Sequence, residues 1–379
     1  MSNKEGEVID MKEYFESIKD PRQQGKVQHN FAETIMIIIC AVIAGCDVWE
    51  DIADYCRVKE EWFKERLGLK LENGIPSHDT MSRIFGMLEP EAFQAQFISW
   101  ARAACGHHER EILSIDGKTM RGSRDKNKKP IHMISVWASK AKAVFGQMAA
   151  DEKSNEITAV PELLELLDIE GTIVTTDAMS CQREIVKKIE DKKGDYVIGL
   201  KENQRLLYRA AREHFEAAMR EPTLYEIHKT KEQVENGHGR LEKRTYYLCI
   251  DRELLKLYEK EWAGLNGIGM MKSSVEKDGR ITEESHYYIT SLTDVEEFAV
   301  AARSHWGVES SLHWCLDVTF REDHSRMRRD HTAENFAVVR HIVLNILKSM
   351  DDKMSVARRR RHCSYDDAYL EKVIAKLTA

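Results

Sequence analysis

Two aspartates follow short apolar segments of the chain, and their carboxylates could act together on one substrate. Asp116 follows the apolar run 112–115 and precedes Gly117, while Asp177 follows the β-branched run 172–176. Open sheets have their sites at the carboxyl ends of strands, so both side chains would lie at such an edge. Paired carboxylates suit a divalent cation. Each aspartate could instead only cap the segment that follows it.

A third carboxylate, Glu309, lies in a long predicted helical region. His305 and His313 are four residues before and after it, so the three side chains share one helix face. Glu309 can therefore complete a set of three carboxylates. Two alternatives stay open: an ordinary ion pair between Glu309 and a neighbouring arginine, or a single-metal site made by the His-Glu-His series, which lacks the spacing of zinc proteases.

The elements around the aspartates have a defined order. Hydrophobic patterning predicts strands over 111–116, 131–138 and 143–149, a helix over 160–167, a strand ending at Asp177, a helix over 182–191 and a strand over 195–200. This is the element order of the ribonuclease-H-like fold, in which the first and fourth strands are neighbours and Asp116 would face Asp177. We therefore predict an α/β protein with a ribonuclease-H-like mixed sheet flanked by helices.

Composition and patterning divide the chain into five segments. We predict a helical N-terminal domain over 1–105, a catalytic core in two parts over 106–200 and 286–350, a β-rich insertion over 201–285 and a basic C-terminal tail over 351–379. Within the N-terminal domain, Pro76 interrupts the chain and Ser77 or Asp79 can cap a new helix. That helix could belong to a helix-turn-helix, although a plain helical bundle is slightly favoured.

Charge is distributed unevenly along the chain. The balance of 57 Lys and Arg against 64 Asp and Glu, a net −7, excludes a uniformly basic nucleic-acid binder but permits local basic patches. The arginine run 358–361 would, on the simplest interpretation, be part of a flexible tail. Eight cysteines without a Cys-x-x-Cys pair indicate neither a zinc knuckle nor a disulfide framework and fit a reducing compartment. The apolar stretch 35–44 is too short to span a membrane and predicts a buried helix.

Several passages resemble insertion-sequence transposases of the Asp-Asp-Glu superfamily, and especially the H-repeat-associated proteins of bacterial Rhs elements. They are residues 73–80, 114–123, 176–182, 195–204 and 303–309, in the family's order. The resemblance implies that Asp116, Asp177 and Glu309 are the catalytic triad and the metal ligands. It also implies a β-rich insertion before the helix that bears the glutamate.

One departure from the family concerns the residues around Glu309. Many relatives with this insertion have Tyr seven residues before the glutamate, Arg four before it and Lys seven after it. Here the three positions hold Ala302, His305 and Leu316. Arg303 and Arg321 are candidates to replace them in gripping DNA.

The resemblance and the carboxylate chemistry together predict a DNA transposase. It would use two Mg²⁺ or Mn²⁺ ions to cleave strands at the element ends and to transfer the freed 3′-hydroxyl into target DNA. No organic cofactor is expected. The basic residues expected to bind DNA phosphates are Lys118, Arg121, Arg124, Arg303, Arg321, Arg326, Arg328 and Arg329.

Double-stranded DNA from the element ends and the target is the expected partner, bound by a homodimer or a higher oligomer. We expect no membrane partner and a cytoplasmic, nucleoid-associated location in a bacterium. Two other functions stay open: a domesticated or inactive relative that binds DNA without cutting it, and a metal-dependent nuclease without strand transfer.

Overall fold

A computed structural model of the chain describes residues 11–106, 108–126, 128–150, 156–223, 225, 227–230, 232–237 and 240–377. These residues form two compact units. The helical unit comprises the described residues of 1–107, 117–153 and 310–379, and the strand-rich unit those of 108–116 and 154–309. The units do not coincide with the five predicted segments, because the N-terminal helices and the C-terminal residues belong to the same unit.

The strands are β1 (Ile112–Thr119), β2 (His132–Ala138), β3 (Ala143–Ala150), β4 (Ile173–Thr176), β5 (Asp195–Leu200), β6 (His228–Lys229), β7 (Gln233–Gly237), β8 (Arg240–Cys249), β9 (Gly267–Lys277) and β10 (Arg280–Thr290). They form a ten-stranded mixed sheet in the order β3-β2-β1-β4-β5-β10-β9-β8-β6, and β7 pairs with β8. The predicted pairing of the first and fourth strands is therefore observed. The ribonuclease-H-like assignment itself stays a prediction.

The helices are α1 (Met11–Glu16), α2 (Phe31–Ile43), α3 (Trp49–Val58), α4 (Glu60–Leu67), α5 (His78–Met87), α6 (Pro90–Cys105), α7 (Glu156–Leu166), α8 (Arg183–Asp191), α9 (Arg205–Arg220), α10 (Arg252–Lys256), α11 (Val295–Gly307), α12 (Trp314–Val318), α13 (Thr332–Lys348), α14 (Val356–Tyr365) and α15 (Asp367–Ile374). A π-helical segment, Val308–His313, connects α11 to α12. No helix in the described part of the chain is long and apolar enough to cross a membrane.

Helix α11 packs on the strands that precede the aspartates. Its buried face, which includes Phe298, Ala299 and Ala302, shares a core cluster with Ile112 of β1 and Ile173 of β4. Apolar burial of this kind is the main force that holds a helix on a sheet. The helix is thereby held over β1 and β4, and the chain continues from it into the segment that bears Glu309.

The predicted insertion over 201–285 is rich in strands, but it is not a separate subdomain. Strand β10 pairs antiparallel with β5, from Tyr287 opposite Leu200 to Thr290 opposite Val197. Strands β9 and β8 then extend the same sheet. The sequence predicted a β-rich insertion here. The pairing of β10 with β5 is a long-range contact, which local patterning does not encode.

Helices α2 and α13 lie at the centre of the packing in the helical unit. Every residue of α2 is buried, as the apolar run predicted, and α13 packs against α2, α5 and α6. Ser77 caps α5 by accepting a hydrogen bond from the Thr80 backbone N–H, at 3.2 Å. Residues 68–77 separate α4 from α5, a connection much longer than the three- to four-residue turn typical of a helix-turn-helix. The plain helical bundle is the better description.

The interpretation of the arginine run as part of a flexible tail is wrong. Helices α14 and α15 occupy this region, and Arg359 and Arg360 are buried. Arg360 donates hydrogen bonds to the Val42 carbonyl oxygen, at 2.8 Å, and forms an ion pair with Asp47, at 2.7 Å. Its guanidinium also lies over the ring of Phe320. The arginine run looked solvent-exposed from the sequence because the residues that bury and pair with Arg360 are distant in the chain.

Candidate active site

The register of three parallel strands brings the two aspartates together. Ile115 of β1 is paired with Thr176 of β4, and β4 pairs in parallel with β5. Asp116 and Asp177 are each the next residue along the chain. Because neighbouring strands lie about 4.8 Å apart, the aspartates stand side by side where β4 ends, and both residues are half-buried. The prediction that Gly117 ends the first strand is wrong, since β1 continues to Thr119 and Asp116 lies within it.

Asp177 also caps the turn that follows it. Its Oδ1 accepts hydrogen bonds from the backbone N–H groups of Met179, at 3.0 Å, and Ser180, at 3.4 Å. The capping role considered from the sequence is therefore observed for this residue. It is compatible with metal binding, since a carboxylate has two oxygens and about four lone-pair sites.

Helix α11 is tied to the strands beneath it by a short polar chain. The Thr175 hydroxyl donates to Ser114 Oγ, at 3.0 Å, and lies 3.2 Å from His305 Nδ1. Burial lowers the pKa of His305, against the raising effect of the Asp177 charge. This link between His305 and Thr175 was not predicted from the sequence.

Glu309 is exposed at the start of the π-helical segment, one turn beyond His305. π-Helical segments occur frequently at functional sites. Within the described residues, no basic side chain forms an ion pair with Glu309, and Arg303 pairs instead with Glu235, at 3.2 Å. The ion-pair alternative is therefore not observed.

The three carboxylates are not gathered as a metal site in this conformation. Among the described residues, no group of three or more His, Cys, Asp or Glu side chains is arranged to hold a metal ion. This applies equally to the His305, Glu309 and His313 series. The donor set itself suits a hard cation, because the two adjacent aspartates and the exposed Glu309 offer only oxygen ligands. The roles of all three as ligands stay a prediction.

The family models divide the chain at the border of the predicted N-terminal domain. A model described as a transposase DDE domain matches residues 107–346, and one described as DDE_Tnp_1-associated matches residues 12–101. The first model covers well over half of the chain. The chain belongs to the transposase DDE domain family. The resemblance stated from the sequence is confirmed.

Curated relatives agree with this DDE transposase assignment. YncI of Escherichia coli O157:H7, named as a candidate transposase, is 40% identical over 370 residues, which is 96% of this chain and 94% of YncI. YhhI of Escherichia coli K12, named as an H-repeat-associated candidate transposase, is 39% identical over 97% of this chain and 98% of YhhI. YbfQ of the same strain, named as an inactive transposase, is 37% identical over 21% of this chain and 90% of YbfQ.

A solved structure of the piggyBac transposase synaptic complex with hairpin DNA is also similar to this DDE transposase. It is 12% identical, with a TM-score of 0.46, over 97% of this chain and 82% of that chain. At this TM-score the likeness is too slight to establish a shared fold.

Most of the predicted DNA-binding residues lie on two loops of the helical unit that pack closely together, one after β1 and one after α12. A Cβ on Gly122 would be 2.2 Å from the Ser325 carbonyl oxygen, so the loops pack backbone against backbone. Arg328 joins them by donating from Nε to the Gly122 carbonyl oxygen, at 2.7 Å. We call the exposed arginines on these loops the basic surface; its members are Arg121, Arg124, Arg321, Arg326 and Arg329.

The charges of the basic surface are only lightly neutralised. Arg121 has 83% of its side chain exposed, and its nearest carboxylate, that of Asp323, is 3.6 Å away. Arg329 lies 3.7 Å from Asp330. Such exposed pairs contribute little energy and exchange readily with other anions.

Lys118 and Arg303 differ from the other predicted residues. Lys118 is 11% exposed and pairs with Asp317, at 2.7 Å, Glu322, at 2.8 Å, and Asp323, at 3.1 Å. Burial acts to lower the pKa of Lys118, but the carboxylates of Glu322 and Asp317 raise it above its ordinary value. Lys118 is therefore a buried structural cation. Arg303 belongs to the strand-rich unit and is held by Glu235.

Proposed function

We propose that this chain catalyses DNA transposition through strand cleavage at the element ends and transfer of the freed 3′-hydroxyl into target DNA. The supporting observation is the pairing of Ile115 with Thr176 in a chain of the DDE family, because it sets Asp116 beside Asp177. We also propose a ribonuclease-H-like core, supported by the strand order β3-β2-β1-β4-β5.

Asp116, Asp177 and Glu309 would hold two Mg²⁺ or Mn²⁺ ions. When bound, such ions activate a water or hydroxyl nucleophile and stabilise the leaving oxygen of an in-line displacement. The residues of the chain contribute the orientation of the ligands. The turn at 178–180 fixes the Asp177 carboxylate, and the His305–Thr175 contact holds the helix that leads to Glu309.

The proposed DNA contacts follow from exposure and charge. The basic surface of the helical unit would bind phosphates, with Arg328 shaping the loops, and the salt dependence of binding would be steep. Arg303 would contact a DNA phosphate only if its ion pair with Glu235 broke. We propose a homodimer or a higher oligomer on DNA, because two element ends must be joined in one event.

The alternative of an inactive DNA-binding relative has one specific observation in its favour, the similarity to YbfQ, which is named an inactive transposase. A nuclease without strand transfer is the other alternative. The full-length protein should be incubated with labelled element ends, target DNA and Mg²⁺ or Mn²⁺. Joined products support a transposase, nicks alone indicate a nuclease, and shifted but uncut DNA indicates a binding protein.

A further inference from the structure

The segment that follows β5 is attached to the turn that fixes Asp177. Asn203 donates from its side-chain amide to the Ala178 carbonyl oxygen, at 2.7 Å. Gln204 does the same to the Cys181 carbonyl oxygen, at 2.8 Å. One acceptor is on the first residue of the short turn Ala178–Ser180 and the other is on the residue directly after it; the Met179 and Ser180 N–H groups of this turn bind the Asp177 carboxylate. Both amides therefore act on the ends of one structural unit.

A close backbone approach brings β5 against the same turn. A Cβ on Gly199 would lie 3.0 Å from the Ala178 nitrogen and 3.3 Å from the Asp177 carbonyl carbon. Separations this small leave room only for glycine or for a shift of the turn. Strand β5 therefore supports the turn from the side, and the residues directly after the strand reach its two ends.

We infer that Asn203 and Gln204 are positioning residues that orient the Asp177 carboxylate for metal binding. This inference rests on the proposed function, since it assigns Asp177 as a ligand. The physical reason is that two hydrogen bonds from one rigid segment remove the freedom of the turn to rotate. Residues that orient a ligand in this way typically change metal affinity or activity by roughly 10- to 100-fold when they are replaced.

Asn203 and Gln204 belong to the passage 195–204, one of those that resemble the transposase family. A strand with a glycine near its end, followed shortly by adjacent Asn and Gln residues, is a pattern visible in the sequence. Its acceptors, on the turn at 178–181, are not visible there, because they belong to a neighbouring strand-turn unit.

The experiment replaces each amide by an apolar side chain of similar size, Asn203→Leu and Gln204→Met, in the full-length protein. Backbone amide exchange of the peptide spanning 177–182 is measured by mass spectrometry, and the Mn²⁺ concentration for half-maximal thermal stabilisation is measured alongside it. We expect faster exchange and a half-maximal Mn²⁺ concentration raised roughly 10- to 100-fold. The DNA concentration for half-maximal cleavage should stay unchanged while the maximal rate falls.

Two matched controls separate positioning from general stability. Glu202→Gln alters the same segment at an exposed side chain, and Asn266→Leu removes an amide that donates to the Ser291 carbonyl oxygen, at 3.0 Å, elsewhere in the strand-rich unit. Asn266→Leu should lower the melting temperature without changing the Mn²⁺ response, and Glu202→Gln should change neither.

Two results would overturn the inference: unchanged exchange at 177–182 in both amide variants, or a fall in melting temperature with the Mn²⁺ response of the parent, as in Asn266→Leu. If the parent protein neither responds to Mn²⁺ nor cuts DNA, the proposed function fails. The exchange rates then test only whether Asn203 and Gln204 hold the turn in place: faster exchange supports this role and unchanged exchange refutes it.

Discussion

The Thr175 hydroxyl lies 3.2 Å from Nδ1 of His305, which joins the strand before Asp177 to the helix before Glu309. The two residues are 130 positions apart in the chain. Their contact is the polar complement of the apolar packing of Phe298 and Ala302 on the same strands. Together with that packing, the contact helps to set the relative position of two proposed ligands, and its contribution can be tested by substitution.

Thr175→Val and His305→Phe should each destabilise the protein, and the double variant should be less destabilised than the sum. We expect a coupling free energy of about 1 kcal/mol, the usual net contribution of a buried hydrogen bond. The measurement is a double-mutant cycle by urea unfolding. Strictly additive effects would show that the contact contributes no stability.

Glu309→Gln should abolish cleavage and joining together while leaving folding and DNA binding intact. The substitution keeps the side-chain volume and removes one charge, so stabilisation by added Mn²⁺ should fall. Glu296→Gln on the exposed face of α11 is the matched control and should behave as the parent. Parent rates of cutting and joining by Glu309→Gln would refute the triad.

Replacing Arg121, Arg124 and Arg326 with Gln should weaken DNA binding and flatten its dependence on salt. Each lost phosphate contact lowers the slope of log K against log salt by about 0.9, so the triple variant should lose about 2 to 3 units. The control replaces the exposed Arg358 and Arg361 with Gln instead, which removes two positive charges against three in the test variant. An equal loss of slope in both proteins would mean that binding is not localised to the basic surface.

Lys118→Met should lower the stability of the protein without changing DNA binding, although Lys118 lies beside the loops of the basic surface. Because it leaves the buried carboxylate of Glu322 with one cation fewer, we expect a loss of about 3 kcal/mol in unfolding free energy. The salt slope of DNA binding should remain that of the parent. Lys126→Met, at an exposed position of the same loop, should leave stability unchanged. A stable Lys118→Met protein with a reduced slope would restore Lys118 to the DNA-binding set.

Acid should destabilise the helical unit through His341. Burial lowers the pKa of this residue to about 4, against the nearby Glu322 and together with the cations Arg340 and Lys118 and the ring of His313. Since the pKa is depressed in the folded state, the stabilisation is complete above the unfolded value of about 6.5 and is lost as pH falls towards 4.

The loss from His341 should reach about 3 kcal/mol. Urea unfolding between pH 7 and about 4.5 should give a smaller slope against pH for His341→Phe than for the parent. The exposed His324 provides the control, because His324→Asn should keep the parent slope. An identical slope in the His341 variant would mean that the acid loss has another source.

The sequence by itself determined the local elements and the chemistry-bearing residues. Apolar and β-branched runs predicted β1, β4 and β5, because strand patterning depends on neighbours along the chain. Asp177 directly follows the end of β4 as predicted, whereas Asp116 lies within β1, which continues to Thr119. The passages around them were sufficient to indicate the transposase family, which the family models confirmed.

Only the tertiary structure decided which basic side chains are exposed and which contacts position the proposed ligands. Arg360 and Lys118 have the appearance of basic-patch residues in the sequence. Folding nevertheless pairs Arg360 with the carboxylate of Asp47, and Lys118 with several carboxylates, from distant positions in the chain. The contacts of His305 with Thr175 and of Asn203 with the Asp177 turn are likewise long-range. The physical reason is the same in each case: burial and ion pairing depend on contacts across the sheet and core, and residue type and spacing do not encode them.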